Sequence, residues 1–276
     1  MGKKIFWCIF GLLFILLWVE IFDSLQFTDH RAVPFVELQT VAEKAELSEE
    51  DYRLIFSQTG LGKPAVDDLR MDDYFYESLQ MFQEQKQQPV LYERRYLFFP
   101  TTTADVLVDE EGHIRLLKLP PLRDGDIILT KSTKTLVYRH GHGALVTDGE
   151  TKTAMEAMML GTDSAYTSAR GLGSYATLMI LRPKADVNQT ETALSFAREH
   201  LLGVPYRLTA GFFDKNKSDN GTVDATHCSH LVWQAYKAAG IDLDTDGGWL
   251  VSPCDISASK ELEVVFSYGF GEDGKW

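Results

Sequence analysis

The stretch 226–240 constrains the fold most, because it combines helical periodicity with a reactive side chain at its start. Leu231, Ala235 and Ala238 recur at helical spacing, and Gly240 provides a stop signal. Cys228 falls in the first turn, where unpaired backbone N–H groups and the helix dipole lower the pKa of a thiol. The pattern predicts an amphipathic helix that begins with either an activated thiol or a small buried cysteine.

The composition of the chain argues against some classes of function. The chain has 276 residues, a formal net charge of −13 and three cysteines. Nucleic-acid binding is not expected, because no basic stripe is present to neutralise phosphates. Three cysteines in a chain of this length do not form a disulfide framework. A bridge between Cys228 and Cys254 stays possible in an oxidising compartment, and it would block the thiol.

The N-terminus reads as a membrane segment. Lys3 and Lys4 precede an uncharged apolar run over 5–19, which Glu20 interrupts. No small-residue cleavage signature follows, which favours an uncleaved signal anchor over 1–23 rather than a removed signal peptide. The two lysines predict a cytoplasmic N-terminus and a single-pass protein of the cell membrane, with the remaining chain outside. A secreted protein is the alternative if the segment is cleaved.

Residues 24–121 read as a mostly helical accessory or connector region. Ser48 is an expected helix N-cap, with Asp51 completing a capping box. The span 66–87 predicts one or two further helices, and 90–99 is strand-like. No catalytic pattern occurs here, and the expected role is to pack on the following domain or to hold it away from the membrane.

Residues 122–276 contain the candidate catalytic residues. A predicted strand over 138–147 places His140 and His142 on one face. Asp148 and Gly149 predict a tight hairpin, followed by a returning strand. The stretch 161–173 is rich in small and polar residues and predicts a loop.

The hairpin register decides which residue faces His142. A two-residue turn places Met155 opposite, whereas a three-residue loop with Gly149 at positive φ places Glu156 opposite. A carboxylate there would fix the imidazole tautomer and stabilise imidazolium. The alternatives are a satisfied core histidine and a solvent-facing or salt-bridged glutamate, and spacing alone does not decide between them.

Several short motifs occur together in a particular order. They are Asp124-Gly125-Asp126-Ile127, Gly141-His142-Gly143, Glu156-Ala157, Gly203-Val204-Pro205-Tyr206 and Thr226-His227-Cys228-Ser229. This order resembles the circularly permuted branch of NlpC-type papain-like cysteine hydrolases, the YiiX/YebB-like family, over residues 122–266. The better-known relatives of that family usually carry Asp and Gly where His227 and His230 stand here.

The resemblance implies an α+β papain-like domain with an antiparallel sheet packed against the cysteine-bearing helix. It also implies a cysteine hydrolase in which Cys228 is the nucleophile, His142 the general base and then acid, and Glu156 the orienting residue. No cofactor is expected. Candidate substrate contacts are Tyr206 near the oxyanion, together with His227, His230 and His140, of which His140 also competes with His142 as base.

The expected substrate is an amide bond in peptidoglycan peptides, reached from the outer side of the membrane. Three alternatives remain: a lipid or acyl-ester hydrolase or acyltransferase on the same fold, a non-catalytic surface-binding module, and a metal site. The metal would be bound by histidine and cysteine side chains, which are the residue types that zinc prefers. Those residues are His140, His142, His227, Cys228 and His230.

Overall fold

A computed structural model describes residues 33–212 and 223–271, together with His30, Trp276 and most positions between 5 and 21. The described positions between 5 and 21 are helical. Among the residues described, no helix is both long and apolar enough to cross a membrane. The expected anchor therefore stays a prediction, and Cys8 lies outside the described residues.

The protein is a mixed α+β structure with two antiparallel sheets. The main sheet has six strands in the order β10-β9-β3-β6-β7-β8, and the smaller sheet has the order β1-β2-β4-β5. The strands are β1 (Tyr92–Phe98), β2 (Thr102–Leu107), β3 (Ile127–Thr130), β4 (Thr133–Thr135), β5 (Tyr138–Arg139), β6 (His142–Asp148), β7 (Thr153–Glu156), β8 (Ala165–Ser168), β9 (Leu178–Pro183) and β10 (Leu262–Tyr268).

Helices lie before, between and after these strands. The segment Ala197–Leu201 continues one of them as a π-helix. The α-helices are α1 (Gln39–Ala42), α2 (Glu49–Thr59), α3 (Lys63–Leu69), α4 (Phe75–Gln87), α5 (Ala169–Leu172), α6 (Val187–Phe196), α7 (Cys228–Ala238) and α8 (Pro253–Ser257).

The main sheet is buried on both faces. Strand alternation sends Ile127 and Leu145 into a core shared with α7, whose Leu231 and Tyr236 are fully buried. The antiparallel sheet thus packs against the cysteine-bearing helix. Ile128, which points the other way, belongs to a second core shared with the accessory helices.

The accessory helices close the second face of the sheet. Ser48 caps α2 through the predicted capping box with Asp51, which is confirmed. Ile55 of α2 and Phe82 of α4 are buried in the core that contains Ile128. The accessory region is less uniformly helical than predicted, because β1 and β2 form half of the smaller sheet.

The hairpin between β6 and β7 differs from both predicted turns. Glu156 pairs with Ala144 rather than with His142, and the register shifts between Val146 and Asp148. Gly149 does not take positive φ; Lys152 does, at 57°. Gly149 is required for another reason: a Cβ there would lie 2.4 Å from the carbonyl oxygen of Leu122.

The predicted continuous strand over 138–147 is also wrong. Gly141 has φ +72°, and a Cβ at this position would lie 2.7 Å from the carbonyl oxygen of Thr130. The chain leaves the small sheet after Arg139 and joins the main sheet at His142. His140 therefore lies between two strands and does not share a strand face with His142.

The predicted loop over 161–173 contains β8 and α5 instead. Ala165 pairs with Glu156, so β8 extends the main sheet beyond β7. Small and polar residues are compatible with this edge strand because three of its four side chains are exposed.

Candidate active site

Three predicted site residues lie at the ends of their strands or helix, and they meet at one end of the strands of the main sheet. Cys228 is the first residue of α7, His142 the first of β6 and Glu156 the last of β7. The start of the helix packs directly on β6, because a Cβ at Gly143 would lie at ordinary contact distance, 3.9 Å, from the Cα of Ser229. The fold therefore brings together residues separated by as much as 86 positions in sequence.

His142 bridges the other two residues. Its Nε2–H donates to Glu156 Oε2 over 2.6 Å, and its ring is hydrogen-bonded to the Cys228 side chain as well. Because Nε2 is engaged by the carboxylate, Nδ1 is the nitrogen that remains for the sulfur. Glu156 pairs directly with Ala144 and reaches the ring of His142 diagonally, because His142 precedes Ala144 by two residues on β6.

The charges of these groups are coupled. Burial alone would lower the pKa of His142, but hydrogen bonds and charge from Cys228 and Glu156 raise it to about 10. Burial would raise the pKa of Cys228, but His142 and His227 lower it well below its usual value. Burial would likewise raise the pKa of Glu156, which hydrogen bonding to His142 and Thr167 lowers. Near neutral pH the arrangement favours thiolate, imidazolium and carboxylate together.

His227 stands directly before the cysteine and caps α7. Its Nδ1 accepts from the backbone N–H of His230 over 3.4 Å, which leaves the proton of the neutral ring on Nε2. That Nε2 is buried and has no well-directed hydrogen-bond partner among the described residues. The ring also acts on Cys228, where its hydrogen bond and its charge lower the pKa of the thiol. His227 thus places a poorly directed N–H beside the sulfur.

The other three predicted contacts have different surroundings. His140 donates from Nδ1 to the carbonyl of Gly141 (2.6 Å) and accepts at Nε2 from Thr135 (3.0 Å), so both nitrogens are used. His230 is buried and stacks on Trp233 with ring centroids 5.4 Å apart. The half-buried Tyr206 lies near the sulfur, and burial and the charge of Cys228 raise the pKa of its hydroxyl.

Three further residues touch this site without a sequence signal that singled them out. Tyr175 is buried, and its ring lies 6.5 Å from that of His142. Thr167 on β8 hydrogen-bonds to Glu156. Ser229 Oγ lies 3.9 Å from the Cys228 sulfur and donates to the carbonyl of Val251. Only Ser229, next to the cysteine, could have been found from sequence position.

Metal-like groupings occur elsewhere in the part of the chain that is described. One joins Asp109, Glu111 and His113, and another joins Asp244, Asp246 and Asp255. Cys228 and its neighbouring histidines do not form such a group within the described ranges. Cys228 and Cys254 are both free thiols.

The comparisons with known proteins give a distant relative. The chain is 30% identical over 151 residues to a protein of Bacillus subtilis (strain 168), described as the uncharacterized protein YycO. The match covers 54% of this chain and 58% of the relative, so the chain spans less than two thirds of the relative's length. No family model matches the chain. No solved structure matches it either.

Proposed function

We propose that the protein is a cysteine hydrolase that cleaves an acyl bond through a covalent thioester. The observation that carries the proposal is the buried chain of contacts from Cys228 through His142 to Glu156. A nucleophile, a base and a group that orients the base are the parts that thiol acyl transfer needs. The resemblance to permuted NlpC-type hydrolases, including the order of the histidine before the cysteine, supports the same roles.

The reaction would proceed in two halves. The thiolate of Cys228 adds to the substrate carbonyl, and His142 gives its proton to the leaving amine or alcohol as the thioester forms. His142 then takes a proton from water, which attacks the thioester and releases the acid and the thiolate of Cys228, so that the thiolate and imidazolium are restored. Glu156 stabilises imidazolium and holds Nδ1 toward the sulfur throughout.

The developing oxyanion would be stabilised at the start of α7. The first intrahelical bond there runs from the N–H of Leu231 to the carbonyl of His227. The N–H groups of Cys228 and Ser229 precede this bond and point toward an anion site at the helix start. The Nε2–H of His227, which lacks a well-directed partner among the described residues, would be a further donor for the same oxygen, and Tyr206 would line this side of the substrate.

The proposed substrate is an amide in peptidoglycan peptides, cleaved outside the cytoplasm by a protein held by its N-terminal segment or secreted. Neither a cofactor nor nucleic acid takes part in this proposal. The second candidate is a lipid or acyl ester, which one observation favours. The exposed ring of Tyr138 lies 6.3 Å from that of His140, so apolar surface reaches the neighbourhood of the site.

The test compares two thiols of one molecule. Alkylation of the full chain by iodoacetamide is followed against pH by mass spectrometry, with Cys228 and Cys254 read from separate tryptic peptides, 218–237 and 238–260. Burial raises the pKa of Cys254, which makes it an internal reference. Cys228 is expected to react with an inflection well below about 8.5, the free-thiol value.

In His142→Ala the inflection of Cys228 is expected to move upward, while that of Cys254 stays in place. Equal inflections for the two thiols in the wild type would contradict the proposal. Wall peptides and acyl esters are then offered as substrates, with Cys228→Ala as the inactive control. If only the acyl ester is hydrolysed, the ester takes the place of the wall peptide as the proposed substrate.

A further inference from the structure

Two neighbouring hairpins expose a group of large apolar side chains. One hairpin joins β1 to β2, and the other joins β4 to β5. They are bound side by side, because Thr102 pairs with Thr135 and the N–H of Leu136 donates to the carbonyl of Thr101. The hairpin-tip cluster consists of Tyr96, Phe98, Phe99, Leu136 and Tyr138, each between 49% and 74% exposed.

The members of the cluster lie near one another on the small sheet. The rings of Tyr96 and Phe99 meet edge to face at 5.2 Å. Phe98 and Tyr138 lie on one row across the sheet, in which Thr102 and Thr135 are the two residues between them. Single exposed apolar residues are ordinary in proteins, but a contiguous apolar patch marks an interaction surface.

Leu136 adds backbone strain to this exposure. It has φ 55°, in the left-handed region that Gly or Asn adopts more readily than a branched side chain. Its side chain is 65% exposed, so the strain is not offset by burial within the protein. A strained residue that holds an apolar side chain in water is expected where a partner covers it.

The N-terminal part of the chain joins the body beside the same small sheet. His30 Nε2 donates to the carbonyl of Ala176 over 3.2 Å, and the N–H of Ala176 donates to the carbonyl of Asp105 on β2. Asp105 is three residues from Thr102, at the tip end of β2, or roughly 10 Å along a strand.

The apolar helical positions between 5 and 21 are therefore tethered to the body at the side of the small sheet. Eight residues lie between Ile21 and His30, and that length of chain reaches at most about 30 Å. The described side chains of this helix are almost all exposed and apolar, including Phe6, Trp7 and Leu13. This connection is long enough for both exposed apolar surfaces to meet one lipid surface.

We propose that the hairpin-tip cluster rests in the interfacial layer of a phospholipid bilayer. Tyr and Phe side chains suit this layer, since their rings are apolar and the tyrosine hydroxyl reaches water. Two basic side chains near the tips, those of Arg94 and Arg139, both bind the buried Asp105, at 3.2 and 3.0 Å, so part of their charge is offset within the protein.

The partner is a lipid surface that need not be anionic. The chain carries a net charge of −13, so an anionic bilayer repels it at long range. Apolar insertion into zwitterionic lipid is expected to be nearly independent of salt. This inference concerns where the protein docks and does not depend on the proposed hydrolase activity.

Photolabelling of the full chain on phosphatidylcholine vesicles tests the proposal, using a lipid with a diazirine in its acyl chain. Trypsin releases the cluster in peptides 96–115 and 135–139. Two reference peptides carry equally exposed apolar residues elsewhere: 71–86 contains Met71, which is 89% exposed, and 185–198 contains Val187, which is 85% exposed. The cluster peptides are expected to be labelled and the reference peptides to remain unlabelled.

A matched pair of variants separates docking of the cluster from nonspecific adsorption of exposed apolar side chains to lipid. Phe99→Asn/Leu136→Asn is expected to reduce labelling of the cluster peptides at least about tenfold, because each large side chain that inserts contributes about that factor. Asn is well tolerated at the left-handed position, so this variant keeps the hairpin. Met71→Asn/Val187→Asn should leave the labelling unchanged.

Three results would overturn the proposal. The first is label confined to peptides from residues 5–31, which would mean that only the N-terminal segment touches lipid. The second is equal labelling of the cluster and reference peptides. The third is protection of the cluster in lipid-free solution with a concentration-dependent doubling of mass, which would make a second copy of the chain its partner.

Discussion

Two buried charged clusters of this protein differ in how completely their atoms are paired. The arginine cluster joins Arg182 of β9 to Asp126, which precedes β3, and to Asp68 of α3. The thiol cluster joins Cys228, His142 and Glu156. Both link separate elements, and both hold charge where water is nearly absent.

The arginine cluster is closed. Asp126 is fully buried and accepts from Arg182 Nε and Nη2 at 2.9 Å each and from the N–H of Arg123 at 2.8 Å. Arg182 Nη1 donates to Asp68 over 2.8 Å. Burial raises the pKa of Asp126, and Arg182 acts against that rise. Such a cluster holds elements together, because its carboxylates are matched by arginine donors from other segments.

The thiol cluster is open at one point. Beside it, His227 Nε2 is buried and lacks a well-directed partner among the described residues. A buried donor without an acceptor costs stability, so its retention suggests a partner that arrives with substrate. The comparison teaches that paired buried charge indicates structure, whereas an unpaired atom beside coupled charges indicates chemistry.

The largest expected effect lies in the arginine cluster. Arg182→Met leaves the buried Asp126 without its main partner, and we expect the free energy of unfolding to fall by about 3–5 kcal/mol. Denaturant unfolding measures this loss. Arg198→Met is the control, because Arg198 pairs with Glu191 at the exposed surface and should cost less than about 1 kcal/mol. Equal losses in the two variants would contradict the structural role.

An intermediate effect is expected for Glu156→Gln, which keeps the shape of the side chain but removes its charge. The imidazolium of His142 loses stabilisation, so kcat/KM should fall roughly a hundredfold, about 2.7 kcal/mol. The pKa of His142 is raised to about 10 partly by Glu156, so the variant should lose its protonated form at lower pH. The alkaline limb of the rate profile is then expected to move toward neutral pH. An unshifted profile would exclude Glu156 as the orienting residue.

The smallest expected effect concerns His227→Asn. Asn retains the helix N-cap but places no N–H at the position of Nε2. We expect kcat to fall about tenfold, or 1.4 kcal/mol, with KM little changed, since the donor would act mainly on the oxyanion. A thermal unfolding midpoint close to that of the wild type shows that the cap survives. A rise in KM at constant kcat would instead indicate a ground-state contact.

The sequence predicted those parts of the structure that depend on residues close together in the chain or on the order of motifs along it. Cys228 at a helix start and the capping box of Ser48 and Asp51 are local features, and the structure contains both. Their residues interact within one turn, so spacing alone specifies them.

The partner of His142 was predictable in identity but not in geometry. The register of β6 against β7 depends on the close passage of Gly149 over Leu122 and on Lys152 at positive φ. Those contacts lie between distant segments, and a shift of register changes every opposing pair. Glu156 still reaches His142, from the diagonal position.

The sequence by itself determined the helix that presents the thiol, the alternation of apolar residues in the central strands and the order of the motifs. Only the tertiary structure decided that Gly141 separates His140 from His142, that Tyr175 and Thr167 border the site, and that two hairpins bring their apolar tips together. Periodicity and caps arise from contacts within a few residues. Pairing between distant strands depends on long-range backbone packing, which no local pattern encodes.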